Sequence, residues 1–306
     1  MPTTMRCRIA SDVDHLSKVQ REEVSHDLRK HFPKLGIESV PLDHEVELSS
    51  TYTPNSPIRV AHLMNQLLNE RFDALVLGAT HLPARLPSGL TIGAITRRLT
   101  PYDVLISAVD CILDELPENA TLVANDVRRE AQLLYYRPDL RMVRARGSID
   151  SIIQKIGSGK LDGAVLAAGD VERLNKQDHV VEFLTCSICI PAAGQGSLAV
   201  LVRSQEETAR KSFRVINDPA SYSEIISEWA FLDHLGVHQE APVGVLGSLE
   251  DKTIELEGMI ALPDGRERIR AVVKGSVGRE VEVGARLARE ILEAGGKELL
   301  QELNLG

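Results

Sequence analysis

What most constrains this chain is an alternation that fills its first two thirds. Short, almost wholly apolar runs that suit buried strands alternate with stretches whose apolar residues recur at helical spacing. Phe72-Asp-Ala-Leu-Val-Leu77 and Leu161-Asp-Gly-Ala-Val-Leu-Ala167 are the clearest strands. Leu16, Val19, Val24, Leu28 and Phe32 mark one amphipathic helix, which Asp12 or Asp14 could cap, and Leu63, Leu67 and Leu68 mark another over Ile58–Glu70. Arg8–Ser11, Gly36–Val40, Thr91–Thr96, Asp103–Ala108, Leu140–Ala145 and Leu198–Val202 complete the strand set. Such an order predicts parallel sheets with right-handed crossovers and a ligand site beyond the C-terminal strand ends. After a helix near Ala220–Leu235 the character changes. Val243–Leu249, Thr253–Ala261 and Ile269–Lys274 read as strands, with a turn at Pro263-Asp-Gly265, and Arg279–Glu293 as an amphipathic helix. That is a separate small α/β domain.

Composition narrows the function. A chain of 306 residues is too long for one ordinary core. No apolar run approaches the length needed to span a bilayer and no signal peptide opens the sequence, so a cytoplasmic protein is expected. A net charge of −9 argues against general nucleic-acid binding. Cys7, Cys111, Cys186 and Cys189 are too scattered for a disulfide framework. Cys186 and Cys189 have CxxC spacing but no second ligand pair, so buried or incidental thiols and no metal are expected.

Against that acidic background, one stretch is basic. Asn125-Asp126 favours a helix N-cap, and Val127, Ala131, Leu134 and Tyr135 follow at helical spacing. Arg128 and Arg129 then fall in the first turn, where the helix dipole disfavours cations. The next strand ends in Arg144, Arg146 and Gly147. Two readings stand: solvated arginine pairs, or a cradle for an anionic ligand at strand ends. The loop Gly78-Ala-Thr-His81-Leu-Pro83 would form another wall of that site, and Gly194-Gln195-Gly196 could bring backbone N–H groups close to a ligand or merely serve a turn.

Several segments, in order and spacing, resemble the hydroxymethylbilane synthase (porphobilinogen deaminase) family over nearly the full length. They are Arg8-Ile-Ala-Ser11, Leu82 to Leu90, Val127-Arg128-Arg129-Glu-Ala-Gln132-Leu133, Arg137-Pro-Asp-Leu140, Arg146-Gly147, Leu166-Ala-Ala-Gly169, Pro191 to Gly196 and Ala241-Pro-Val-Gly244. The resemblance implies two α/β domains built like type II periplasmic binding proteins plus a small C-terminal α/β domain. It divides the chain as residues 1–98 with 195–216, residues 99–194, and residues 217–306. It also implies polymerisation of porphobilinogen on a dipyrromethane tethered to a cysteine. Arg8, Ser11, Arg128, Arg129, Arg146, Gly147 and Gln195 are the ligand-binding residues it suggests.

The departures from that pattern fall on the family's chemistry. The tether cysteine falls on Gln239, so no covalently attached dipyrromethane, and no cofactor, is expected. The family's Lys-Asp pair falls on Thr80 and His81, which makes His81 the candidate catalytic residue. A Thr-Arg-x-Ser run falls on Ser11, Asp12 and Asp14, and a helical Arg on Ile152. A proline-containing loop near Thr51–Pro57 replaces a glycine-rich lid. Three readings follow: a monomer binding a carboxylated pyrrole, linear tetrapyrrole or other small polyacid between its first two domains, with polymerisation lost or altered; an active synthase using a noncovalent primer and His81; or a non-catalytic solute- or partner-binding scaffold.

Overall fold

The computed structural model describes residues 6–40, 55–83, 85–109, 111–237 and 241–305. Contacts group the chain into two units: one runs to Arg98 and includes Ser197–Tyr222, and the other comprises Leu99–Gly196 and Ser223 onward. The first contains β1 (Arg6–Ala10), α1 (His15–His31), β2 (Gly36–Ser39), α2 (Pro57–Leu68), β3 (Ala74–Gly78) and β4 (Leu90–Ile95). The second opens with β5 (Asp103–Ser107), β6 (Thr121–Val123), α3 (Val127–Tyr136), β7 (Arg141–Val143), α4 (Ile149–Gly157), β8 (Gly163–Ala167), α5 (Ala168–Arg173) and β9 (Glu182–Leu184). The chain then returns to the first unit as β10 (Leu198–Arg203) and α6 (Glu207–Phe213), and α7 (Pro219–Leu235) carries it back.

Helix starts follow local chemistry. Asp14, Asp126 and Ser148 each accept a backbone N–H of the first turn, from Ser17, Arg129 and Ser151 respectively. Pro57 opens α2, where its missing N–H costs nothing. Among the described residues no helix is long and apolar enough to cross a membrane.

Each large sheet has five strands, in the orders β2-β1-β3-β10-β4 and β7-β6-β8-β5-β9. The sheets are mixed, which corrects the expectation of parallel sheets. β1 runs parallel to β2 and β3, and β6 to β7 and β8. β10 is antiparallel to β3 and β4, and β5 to β8 and β9. β5 and β10 are the first strands after the chain passes from one unit to the other. No crossover helix on the same sheet precedes them, so the rule that forces parallel pairing does not act. The middle of β5, Val104, Leu105 and Ile106, is apolar because both its faces are covered. Leu105 joins one core cluster with Leu122, Val165 and Leu184, while Val104 and Ile106 join another with Ile152, Ile156 and Val171.

The C-terminal part is an antiparallel meander of β11 (Val243–Glu250), β12 (Thr253–Ala261) and β13 (Arg268–Ser276), with α8 (Glu280–Ile291) packed on it and α9 (Lys297–Leu305) last. Met259 and Ala261 of β12 pack with Ala131 of α3 and Ile190, so this sheet is seated on the second unit. Buried Glu228 of α7 accepts N–H bonds from Gly194 and Gly247, each at 2.7 Å, tying the 191–196 turn to β11. Helix α8 approaches α7 backbone-close at Gly284, where a β-carbon would lie 2.5 Å from the Ser227 carbonyl oxygen and 2.6 Å from the Ala230 β-carbon. Alanine for glycine inside a helix ordinarily adds about 1 kcal/mol. Here Gly284→Ala should instead destabilise the chain by about 1–3 kcal/mol, because backbone has to shift. Urea unfolding of the two proteins checks the sign, and an unchanged or higher midpoint would contradict this packing.

Candidate functional site

The second unit is built around one carboxylate. Asp103, the first residue of β5, is fully buried. Its Oδ2 accepts Arg128 Nη1 at 2.8 Å, and its Oδ1 accepts Arg129 Nε at 2.9 Å and Gln195 Nε2 at 3.0 Å. The Cys189 thiol points at the same carboxylate, Sγ to Oδ2 3.3 Å. Arg128 also donates to the Ile190 carbonyl oxygen at 2.7 Å, and Gln132 both donates to that oxygen and accepts the Ile190 N–H. Asp126 pairs with Arg129 Nη1 at 2.7 Å. Burial alone would raise the Asp103 pKa, but Arg128 and Arg129 together hold it at about 2. Two carboxylates thus offset two guanidiniums, and the arginines of the first helical turn are neutralised within the unit. Gln195 fastens this knot, also donating to the Pro101 carbonyl oxygen at 2.7 Å. Its amide is occupied by the knot, its own N–H donates to the Ala192 carbonyl oxygen, and the Gly194 N–H donates to Glu228.

Arg146 behaves differently. It is exposed, and it has no acidic partner among the described residues. Lys155 Nζ donates to its carbonyl oxygen at 3.2 Å, placing a second cation beside it. Gly147 has φ +124°, and a β-carbon there would sit 2.2 Å from Ser151 Oγ, so only glycine fits between Arg146 and the Ser148 cap. Arg144 is held by Glu130 at 3.0 Å.

In the first unit, Arg8 clamps Asp73 through two donors, at 2.8 and 3.3 Å. It joins β1 to the start of β3. Ser11 is buried and donates to the Asp12 carbonyl oxygen. Asp12, also buried, accepts Arg59 Nε at 3.1 Å and the N–H groups of Val13 and Asn55. His81 ends the single turn Ala79–His81 after β3, and a β-carbon on Gly78 would lie 3.2 Å from its Cδ2. Its pKa is lowered, by burial first; Asp14 and then Asp12 pull the other way. The ring is neutral at pH 7.

The Cys7 and Cys189 thiols are protonated as well. Burial raises the Cys189 pKa steeply, and raises that of Cys7 to about 12. Gln239 and residues 41–54, which include most of the proline-containing loop, lie outside the described residues. The acid that organises the second unit was missed in the sequence, although its signal was there: a carboxylate heading an apolar run that must be buried on both faces.

Two sheets of one strand order, each with an antiparallel strand one place from its edge, define a type II periplasmic-binding-protein-like α/β protein with a small C-terminal sheet domain. Residues 7–211 match the family model described as porphobilinogen deaminase, dipyrromethane cofactor binding domain, and residues 222–293 match porphobilinogen deaminase, C-terminal domain. A porphobilinogen deaminase from Pelotomaculum thermopropionicum is 40% identical over 235 residues, 77% of this chain and 75% of that protein. One from Thermus thermophilus is 39% identical over 247 residues, 80% and 82% of the two. One from Moorella thermoacetica is 33% identical over 300 residues, 97% and 96%. Among solved structures, the substrate-binding domain of a putative molybdenum ABC transporter from Clostridium difficile aligns with a TM-score of 0.45 at 13% identity, covering 74% of this chain and 97% of that one. A likeness at that level adds nothing to the assignment. The chain belongs to the porphobilinogen deaminase family. The expectation of no cofactor is corrected by the same match, since the domain spanning residues 7–211 is the family's dipyrromethane-binding one. It had rested on the single position Gln239, while the match extends over the whole domain.

The buried knot has a direct test. Removing one partner of a buried ion pair costs about 3–5 kcal/mol, so Asp103→Asn should lower unfolding stability by that order. Because the Asp103 pKa is depressed from 3.8 to about 2 in the fold, its contribution is full above about pH 4 and is lost as pH falls towards 2. Denaturant midpoints of wild type should therefore fall through that window, and those of Asp103→Asn should fall less.

Proposed function

We propose that the chain binds a carboxylated pyrrole and that its chemistry is the family's pyrrole condensation in altered form, with a neutral imidazole handling the proton. The observation that carries this reading is His81. It stands where the family resemblance places an aspartate, held on the turn after β3, kept neutral by burial, with Asp14 and Asp12 the nearby charges. Asp12 in turn stands where the resemblance places an arginine, and Arg59 and two backbone N–H groups hold it. Both signs of charge are exchanged together. A carboxylate offers several acceptor sites to pyrrole N–H groups, whereas a neutral imidazole offers one acceptor and one donor. Such a ring can accept one proton and pass it on.

Dipyrromethane, when bound, supplies the pyrrole chain to which further pyrroles are joined. Its carboxylates have a fitting partner in the second unit: Arg146 and the neighbouring Lys155 ammonium carry positive charge with no acid set against them among the described residues. Arg129 keeps part of its side chain exposed and could add a contact, but Asp103 and Asp126 already balance the charge of the arginine pair. Arg128 is enclosed and acts through Asp103. Recognition of an acid in this unit therefore rests on Arg146 first.

Incubation with porphobilinogen, followed by its consumption and by the absorption of any linear tetrapyrrole, tests the reading. Turnover should decline as pH falls below 6.5, through the lowered His81 pKa, because the protonated ring cannot act as a base. His81→Ala should reduce turnover by roughly 10²–10⁴ with little change in affinity. Turnover that ignores His81→Ala, or that rises towards acid, contradicts the assignment. Arg146→Gln should weaken pyrrole binding by about 1.5–3 kcal/mol, roughly tenfold to a hundredfold in Kd, read by calorimetry.

A further inference from the structure

A concavity within the second unit is lined by neither Asp103 nor Arg146. It measures about 870 Å³ and follows α8 from Arg279 to Leu292, with the end of β13 (Gly275, Ser276) and His234 of α7 opposite. Three arginines, Arg279, Arg286 and Arg289, line it against one acid, Glu282. On a chain of net charge −9, three cations and one anion in a single concavity is a local reversal of sign.

The charges are poorly compensated. Arg279 reaches Glu282 at 3.5 Å with both side chains largely in solvent, a pair of little worth. Arg286 donates to the Lys274 carbonyl oxygen, which fixes the guanidinium at the wall without neutralising it. Its Nε is buried and has no hydrogen-bond partner among the described residues. Arg289 has no ion pair with a described residue. Arg286 and Arg289 are three residues apart and repel each other along one helix face. Arg279 stands at the helix N-cap, where the dipole disfavours a cation. Only Arg289, in the last turn, gains from the dipole.

We infer that this groove binds a small polyanion carrying two or more phosphate or carboxylate groups, at a site separate from the pyrrole site. Guanidiniums recognise both group types with paired donors, and the bound anion relieves the repulsion among the three arginines. From Arg279 to Arg289 the helix rises about 15 Å, so an extended ligand with several charged groups matches the row better than a single compact anion.

Calorimetry on the full chain with tripolyphosphate and with citrate as probes tests this, and the tighter of the two names the group. Saturable binding of at least one probe is expected, weakened tenfold or more in Arg289→Gln. That exposed substitution leaves the fold and pyrrole binding unchanged, which keeps the test valid if Arg286→Gln fails to fold. Arg146→Gln should bind the probe as wild type does while losing pyrrole affinity, which separates the two sites. No saturable binding of either probe to wild type, or equal binding to wild type and Arg289→Gln, overturns the site. So does loss of probe binding in Arg146→Gln.

Discussion

One buried carboxylate sets the order of the second unit. Asp103 receives two guanidiniums from the first turn of α3, and one thiol and one amide from the segment that holds Cys189 and Gln195. Isolating such a carboxylate from water would cost several kcal/mol, so it stays charged only because the arginines arrive together. Strand β5, helix α3 and the turn carrying Gln195 are thereby fixed to one another. The polar network gives that junction a single arrangement which apolar packing alone would specify less sharply.

The same interaction explains why sequence reasoning misjudged where the positive charge is available. Arg128 and Arg129 drew attention because cations at a helix N-terminus need an anion. The anion is present, but it is supplied from 25 and 26 residues away, by Asp103, as well as by the cap Asp126. Charge balance of this kind is a property of tertiary packing, and periodicity cannot show it. Arg146 looked equivalent in sequence and proves to be exposed and without an acidic partner among the described residues.

Much of the architecture was legible because it rests on local rules. Apolar runs located β3, β8 and β10, and the cap candidates at Asp12 or Asp14 and at Asn125-Asp126 located two helices, which Asp14 and Asp126 cap. Strand direction was not legible: β5 and β10 have the same apolar character whichever way they run. The short elements α5, α6, β9 and α9 carry too few residues, or too polar a pattern, to stand out by period. His81 was located by resemblance and its loop by the strand before it. The burial that keeps its ring neutral is invisible in a linear sequence.

The account turns on the exchanged charges in the first unit: an imidazole held neutral at position 81, with acids nearby and a pyrrole as its partner. NMR titration of the His81 ring, with and without porphobilinogen, measures this most directly. The free ring should titrate below 6.5, as burial requires, and porphobilinogen should shift both its resonances and its pKa. A ring that titrates at the ordinary value of 6.5 and is indifferent to porphobilinogen would contradict the account.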